Sequence, residues 1–376
     1  IVTPIISYKS DRLRSRWGRR IPYLIVTVPF ILLSTFGLAF SPGLGAGLSH
    51  LLGRWSPGST WSVLIVMGSF WTLFEICCVV GYAVFGALVN DIVPQEVIGR
   101  FFGLFRAVSL IAGIAFFYNV MGQAENHFTW IFIGIGAFNA ASLVLMCWNV
   151  KEGEYPPVPV SSVRRGHVYA VRTYFKDGFG NSYFLWFFAA TVLSNLALFP
   201  FNLYSLFYAE SIGMGLDVYG KYIALTYAIS FVLSYPIGIL ADKFHPLRIS
   251  IACLVLYGLV MGCGGFLVKD TMTFALFTVL HGVVSGCLMT AGASLPQRLL
   301  PRNKFAEINS VGGIIGSLAS MVLTPALGIF LDQVHHDYHY TFFAAAALTL
   351  VAVAAFFGLH ARFIALGGME GYVAPE

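Results

Sequence analysis

Charge is what this chain has least of. Only 10% of its 376 residues are Asp, Glu, Lys or Arg, against roughly 25% in a soluble globular domain, so a water-facing surface of ordinary extent cannot be built from it. Acidic side chains are the scarcer sign, 17 against 22 basic ones, and so small a positive balance gives a nucleic-acid reading little to stand on. Cysteine is equally thin: all six (Cys77, Cys78, Cys147, Cys253, Cys263 and Cys287) fall inside apolar stretches. That placement excludes a disulfide framework and a zinc site. Strand-like alternation of apolar and polar residues is also missing, so a membrane-spanning sheet is excluded and only helices can satisfy the backbone in lipid.

What fills the space is apolar. Hydrophobic residues make up 58% of the chain and the mean hydropathy is +0.79. Charge-poor stretches run over 21–40, 61–89, 101–121, 128–150, 181–209, 222–241, 249–268, 271–297, 308–331 and 340–359. Each reaches the ~20 residues with which a helix crosses ~30 Å of hydrocarbon. The expected fold class is therefore an all-α polytopic membrane protein.

The few charges are placed unevenly. Five arginines crowd the run Ser10-Asp11-Arg12-Leu13-Arg14-Ser15-Arg16-Trp17-Gly18-Arg19-Arg20-Ile21-Pro22, and a weaker echo, Gly238-Ile239-Leu240-Ala241-Asp242-Lys243-Phe244-His245-Pro246-Leu247-Arg248, follows 231 positions later. Basic residues near span ends stay on the cytoplasmic side. With the Asp11 loop inside, every Lys and Arg but Arg54, Lys221, Lys269 and the intraspan Arg106 falls in a cytoplasmic segment. This topology puts the C-terminus in the cytoplasm and predicts an integral protein of the plasma (cytoplasmic) membrane. The echo marks an internal repeat. Asp242 lies 61 residues after Asn181, the start of its half, whereas only ten residues precede Asp11; a matching first half would need roughly 50 further residues, one helix and most of a second. The expected organisation is an incomplete N-terminal bundle over 1–150, a cytoplasmic linker over 151–180 and a six-helix C-terminal bundle over 181–376. Within the linker, the Pro-rich Tyr155-Pro156-Pro157-Val158-Pro159 precedes 163–179, where Arg164, Arg165, Arg172 and Lys176 interleave with aromatics, the pattern of an interfacial helix lying on anionic lipid.

Two six-helix halves, each with an acidic-basic loop after its second helix, resemble the major facilitator superfamily. The expanded loop, with Ser10-Asp11-Arg12, Ser15-Arg16-Trp17-Gly18-Arg19-Arg20 and Pro22, resembles the glycoside-pentoside-hexuronide and sucrose-transporter-like branch, as do Asn90-Asp91-Ile92-Val93-Pro94, Gly99-Arg100-Phe101-Phe102-Gly103-Leu104-Phe105-Arg106 and Lys151-Glu152-Gly153-Glu154-Tyr155-Pro156-Pro157. The resemblance implies a gating role for the loops, with Asp11, Arg12, Arg16, Gly18, Arg19 and Arg20 in one and Asp242, Lys243 and Arg248 in the other, a latch that closes the cytoplasmic side. One departure matters: sodium-coupled members carry Asp before the Pro just upstream of the first loop, where this chain has Thr3 before Pro4.

Inside the spans only Glu75, Arg106 and His281 are ionisable in the ordinary sense, and such groups are costly in a membrane unless they serve a purpose. Glu75 stands near mid-depth, and His281 lies 206 residues on, nearly the equivalent place in the second half. Both are candidates for cation coupling, with the proton as the expected ion, because sodium asks for several oxygen ligands. Arg106, close to the cytoplasmic end of its span, reads as a snorkelling or clamping residue. Asn195 and Asn202, two helical turns apart, share one side of their helix. With Trp71, Trp186 and Tyr204 they form a candidate substrate-binding set, amides for hydroxyls and rings for the C–H face of a sugar. Pro200 leaves the carbonyl of Leu196 without its helical donor. The group His335, His336, Asp337 and His339 lies in a short extracellular turn and reads as surface histidines without a metal.

The expectation is a monomeric secondary active transporter, not an enzyme, that moves a sugar or glycoside with a proton by alternating access, without a cofactor, and whose partners are a small-molecule solute and membrane lipid. A sodium-coupled or non-sugar transporter, and a non-transporting sensor on the same bundle, are the alternatives.

Overall fold

The computed structural model describes Ile6, Ser10, Leu13 and residues 15–93, 98–153, 179–301 and 305–375. Asp11 and Arg12, and the expected interfacial helix of the linker up to residue 178, lie outside the described residues. Among them the chain is helical almost throughout: α1 (Ile21–Ala39), α2 (Ser41–Leu52), α3 (Ser59–Ile92), α4 (Ile98–Asn119), α5 (Ala124–Asn149), α6 (Ser182–Ser211), α7 (Leu216–Phe244), α8 (Pro246–Leu267), α9 (Thr271–Gly292), α10 (Leu295–Leu299), α11 (Phe305–Gln333), α12 (Tyr340–Ala365) and α13 (Gly368–Gly371). Among the described residues the only pairing of extended backbone is one isolated bridge, Ser15 to Gly18. Nine of the helical segments are long and apolar enough to cross a membrane. The remaining expected stretch, 101–121, is helical too, as part of α4, with a shorter apolar portion over Leu104–Asn119.

The helix ends are closed by the chemistry their sequences offer. Asp270 and Thr273 form a capping box at α9, Thr273 N–H donating to Asp270 Oδ1 at 2.8 Å and Asp270 N–H to Thr273 Oγ1 at 3.2 Å, which satisfies donors that a helix start leaves open. Asn181 Oδ1 takes the amide of Tyr183 at 2.9 Å at the start of α6. Helices α1, α6, α7 and α11 continue through Pro29, Pro200, Pro236 and Pro325, as membrane helices can where neighbouring groups take up the freed carbonyl.

The chain forms two compact units, Ile1–Val108 with Gln123–Val163 and Ser109–Gly122 with Arg164–Glu376. In the first, α1 packs on α3 and α5, and α2 on α3. Gly136 admits Thr35 so closely that a Cβ would collide with it, and the buried apolar cluster is small, built on Leu24, Val84 and Leu88. In the second, α12 packs on α6 and α8, α9 on α7 and α8, and α11 on α6. Two large clusters fill it, one around Phe184, Phe187, Phe188 and Phe356, the other around Phe201, Tyr257, Phe274 and Phe342. None of the six cysteines is in a disulfide.

Candidate functional site

Helix α6 carries a polar stripe that the second unit leaves open. Its buried side holds Phe184, Phe187, Phe188, Leu198 and Phe201, whereas Asn195 and Asn202 are both exposed, on one side of the helix as their spacing of seven requires. Their amides are held differently. Asn195 Nδ2 donates to its own helix, to the Thr191 carbonyl at 2.7 Å, which leaves its Oδ1 as an outward acceptor. Asn202 Oδ1 lies 2.9 Å from His281 Nε2 on α9, and the other ring nitrogen of His281 lies 3.0 Å from the Tyr257 hydroxyl on α8.

Proton positions in this chain of three follow from satisfaction. Tyr257 is fully buried, and a buried hydroxyl that fails to donate is expensive; the acceptor in reach is His281 Nδ1. An imidazole accepting at Nδ1 carries its proton on Nε2. That proton goes to Asn202 Oδ1, the one arrangement compatible with the position of the amide oxygen. Polarity therefore runs from Tyr257 through His281 to Asn202 and leaves both Nδ2 hydrogens of Asn202 as outward donors. The Phe201 ring, 4.3 Å from the His281 ring between centroids, fixes the imidazole from the side. Donor and acceptor amides thus stand ~10 Å apart along one helix face, seven residues at 1.5 Å each.

Beside Asn195 opens a cavity of about 480 Å³ lined by Thr191, Asn309, Ser317, Ser320 and the glycines of α11. Its size lies in the range of small-molecule pockets. The aromatic candidates are placed elsewhere. Trp186 lies against Gly358 of α12 with the Arg362 guanidinium 5.5 Å over its ring. Tyr204 stacks on Tyr338, 6.2 Å between centroids. Neither lines the cavity.

In the first unit, Glu75 stands at the centre of the 34-residue α3 and is exposed, with Trp71 one turn away, also exposed and tilted against Phe74 at 6.2 Å. The described residues of the acidic-basic loop bond to two acids that composition alone did not single out, Asp91 and Glu152, although both sit in the motifs that carry the family resemblance. Arg19 clasps Asp91 with two nitrogens, at 2.7 and 3.1 Å. Arg20 adds a third bond at 3.2 Å and reaches Ser10 with its other arm. Glu152 accepts the backbone amides of Arg19, Arg20 and Ile21 at 2.9, 2.8 and 2.8 Å, so a carboxylate from the end of α5 caps the start of α1, where the helix dipole favours it. Gly18 adopts φ +96 directly against Glu152, where any Cβ would collide. Arg16 is exposed and takes no part.

The echo in the second unit is simpler. Asp242 meets Arg298 at 2.5 Å, and Lys243 lies over the Phe244 ring at 5.4 Å. Next to them His245, buried and at φ 75, accepts the Leu247 amide at 3.3 Å; burial, then Arg298, Arg248 and His360, push its pKa down to about 4. At the opposite end of the spans His336 faces Asp332 at 3.6 Å, and His339 bonds the Gly265 carbonyl. No group of three or more His, Cys, Asp or Glu able to hold a metal occurs among the described residues.

Comparison with known proteins agrees with this architecture. Residues 202–364 match the family profile described as Major Facilitator Superfamily. A solved structure, the crystal structure of a D-xylose-proton symporter, superposes with a TM-score of 0.66 over 95% of this chain and 84% of the other at 12% identity. At that identity the likeness speaks for architecture alone: this is an integral membrane protein with the major facilitator fold.

Proposed function

We propose that this protein is a secondary active transporter of the major facilitator superfamily that carries a sugar or glycoside across its membrane by alternating access, coupled to protons. The observation that carries the reading is the pair of amides on the open face of α6, Asn195 offering an acceptor and Asn202 two donors, beside a hydroxyl-lined cavity. Sugar hydroxyls both give and take hydrogen bonds, and a face of mixed polarity answers them. The superposing structure is that of a D-xylose-proton symporter, and a sugar as the solute is in keeping with it.

In this reading Glu75 is the coupling acid. A carboxylate in mid-span is costly as a charge, and binding a proton relieves that cost during the crossing. His281, engaged at both ring nitrogens, serves by orienting Asn202, and Trp71 lies on the Glu75 face of α3 to pack against a sugar ring. The Arg19, Arg20, Asp91 and Glu152 network holds the ends of α1, α3 and α5 as one body, as a unit that rocks rigidly requires.

Uptake of radiolabelled mono- and disaccharides into vesicles under an imposed pH or sodium gradient tests this. Accumulation driven by the pH gradient is expected, lost in Glu75→Gln with solute exchange retained, and with the apparent KM of Asn202→Ala raised about tenfold, the effect of one hydrogen bond. Accumulation that follows sodium and ignores pH would overturn the proton; no accumulation of any sugar would overturn the solute class.

A further inference from the structure

A second cavity lies at the membrane boundary of the first unit. Of about 690 Å³, it carries Arg16, Trp17, Trp148 and Lys151 on its rim, and Ile25 and Val144 in its wall. Trp17 precedes the first residue of α1 by four positions, and Lys151 follows the last of α5 by two. The rim therefore stands where two apolar spans leave the hydrocarbon at the same end, and the wall runs along them into it. Both indoles are largely exposed, 62% for Trp17 and 81% for Trp148.

The rim has the wrong chemistry for bulk lipid alone. Arg16 and Lys151 form no ion pair with any described residue, whereas Arg19 and Arg20 nearby are held by Asp91. Glu152 also borders the cavity, yet its oxygens take the three amides at the start of α1. Two cations and two indole N–H donors thus surround an opening whose depth is apolar. Indoles settle at the headgroup level, and basic pockets between spans hold anionic headgroups.

We propose that this cavity is a binding site for an anionic phospholipid, its phosphate held by Arg16 and Lys151 with Trp17 and Trp148 at its flanks, and one acyl chain lying between α1 and α5 along Ile25 and Val144. The inference is independent of what the protein transports, since it rests on its membrane placement alone.

Tryptophan quenching tests it on the full chain in nanodiscs. Brominated phosphatidylglycerol and brominated phosphatidylcholine are compared at equal mole fraction in otherwise identical bilayers, and the contributions of Trp17 and Trp148 are isolated as differences from Trp17→Phe and Trp148→Phe. The expected result is stronger quenching of both by the anionic lipid, with the preference falling about fivefold for each of Arg16→Gln and Lys151→Gln while the helical circular dichroism and melting temperature stay put. Equal quenching by the two lipids, or a preference that survives the double substitution, would overturn the site. Inorganic phosphate added to the buffer is expected to leave the quenching unchanged; displacement by it would overturn the lipid as occupant and mark a soluble anion instead. Should the double Gln variant fold poorly, Arg16→Lys supplies the second reading: a phosphate held as a point charge keeps its preference, whereas a merely structural Arg16 gives no dependence on headgroup at all.

Discussion

The two units of this chain are held together by different physics. Of the most apolar part of α3, in the first unit, only 6% of residues are buried, against 56% for α6 in the second. The second unit interlocks aromatics: Phe342, fully buried, touches the rings of Phe201, Tyr208 and Phe277 and sits against Gly264. Among its described residues the first has one small aliphatic cluster, Leu24, Val84 and Leu88, and, at one end, a lattice of charge in which Asp91 and Glu152 serve two arginines and a helix start. In lipid the hydrophobic effect does little to bring helices together, so packing and polar bonds decide association. One unit has chosen mainly the former, the other mainly the latter.

The sharpest break is expected at Glu152. Glu152→Ala strips the backbone N–H groups of Arg19, Arg20 and Ile21 of a charged acceptor, a loss of about 4 kcal/mol for charge-assisted bonds partly replaced by water. Hydrogen exchange of the solubilised protein should show α1 and α5 opening early while α6 and α12 keep their protection. Equal loosening of both units would show that the difference in their construction is cosmetic.

Acid should strike the other unit. His245 has its pKa lowered to about 4 by burial and by Arg298, Arg248 and His360, so the folded state keeps it neutral where an unfolded chain, near the ordinary 6.5, takes up a proton. Its contribution is fully present above pH ~6.5 and lost as pH falls toward ~4, on the order of 3 kcal/mol in total. His245→Asn retains a residue that tolerates the left-handed backbone at this position and can accept the Leu247 amide. It should flatten the decline of melting temperature across that window. A decline of unchanged slope would place the acid sensitivity elsewhere.

Packing makes the third test. Phe342→Ala removes roughly 100 Å³ of ring from a closed site, and at ~24 cal/mol per Å³ of residual cavity the loss is about 2 kcal/mol; the transfer term of a soluble core is muted because lipid is itself apolar. Phe138→Ala in α5, on a side chain 77% exposed, should move the melting temperature little, and neither effect should depend on salt. The Glu152→Ala loss should shrink in high salt, because screening weakens the charged lattice that it breaks.

The fold was legible early because membrane helices are written in length and charge alone: the expected stretches 21–40, 181–209, 249–268 and 340–359 overlap the helices α1, α6, α8 and α12 closely. The candidate site was legible in part. Spacing put Asn195 and Asn202 on one face, and the structure leaves both exposed. What spacing could not give was the partner of each group. Trp186 and Tyr204 share α6 with the two asparagines, yet packing turned one toward Arg362 and the other toward Tyr338. Tyr257 was one of 18 tyrosines until tertiary structure set its hydroxyl on His281. Asp91 and Glu152 stood in recognisable motifs, but a motif names residues without saying that a carboxylate from one helix closes the amides of another.

The smallest effect tests the finest claim. Tyr257→Phe deletes one buried donor and leaves the ring in place, about 1 kcal/mol by the usual worth of such a bond, or a fivefold rise in the apparent KM for a sugar. Its diagnostic value lies in direction rather than size. With the Tyr257 hydroxyl gone, nothing requires His281 Nδ1 to accept, so the ring can carry its proton on either nitrogen and Asn202 can turn its oxygen outward. The imidazole ¹⁵N signals of His281, identified by their loss in His281→Gln, should show an Nε2–H ring in the native protein and a mixture of tautomers in Tyr257→Phe. Deoxyfluoro sugars, which accept but do not donate, should lose their advantage over deoxy sugars in the same variant. An Nδ1–H ring in the native protein would reverse the polarity of the whole chain and make Asn202 an acceptor. The open face of α6 would then offer two acceptors, and a solute rich in donors would fit it better than one of mixed polarity.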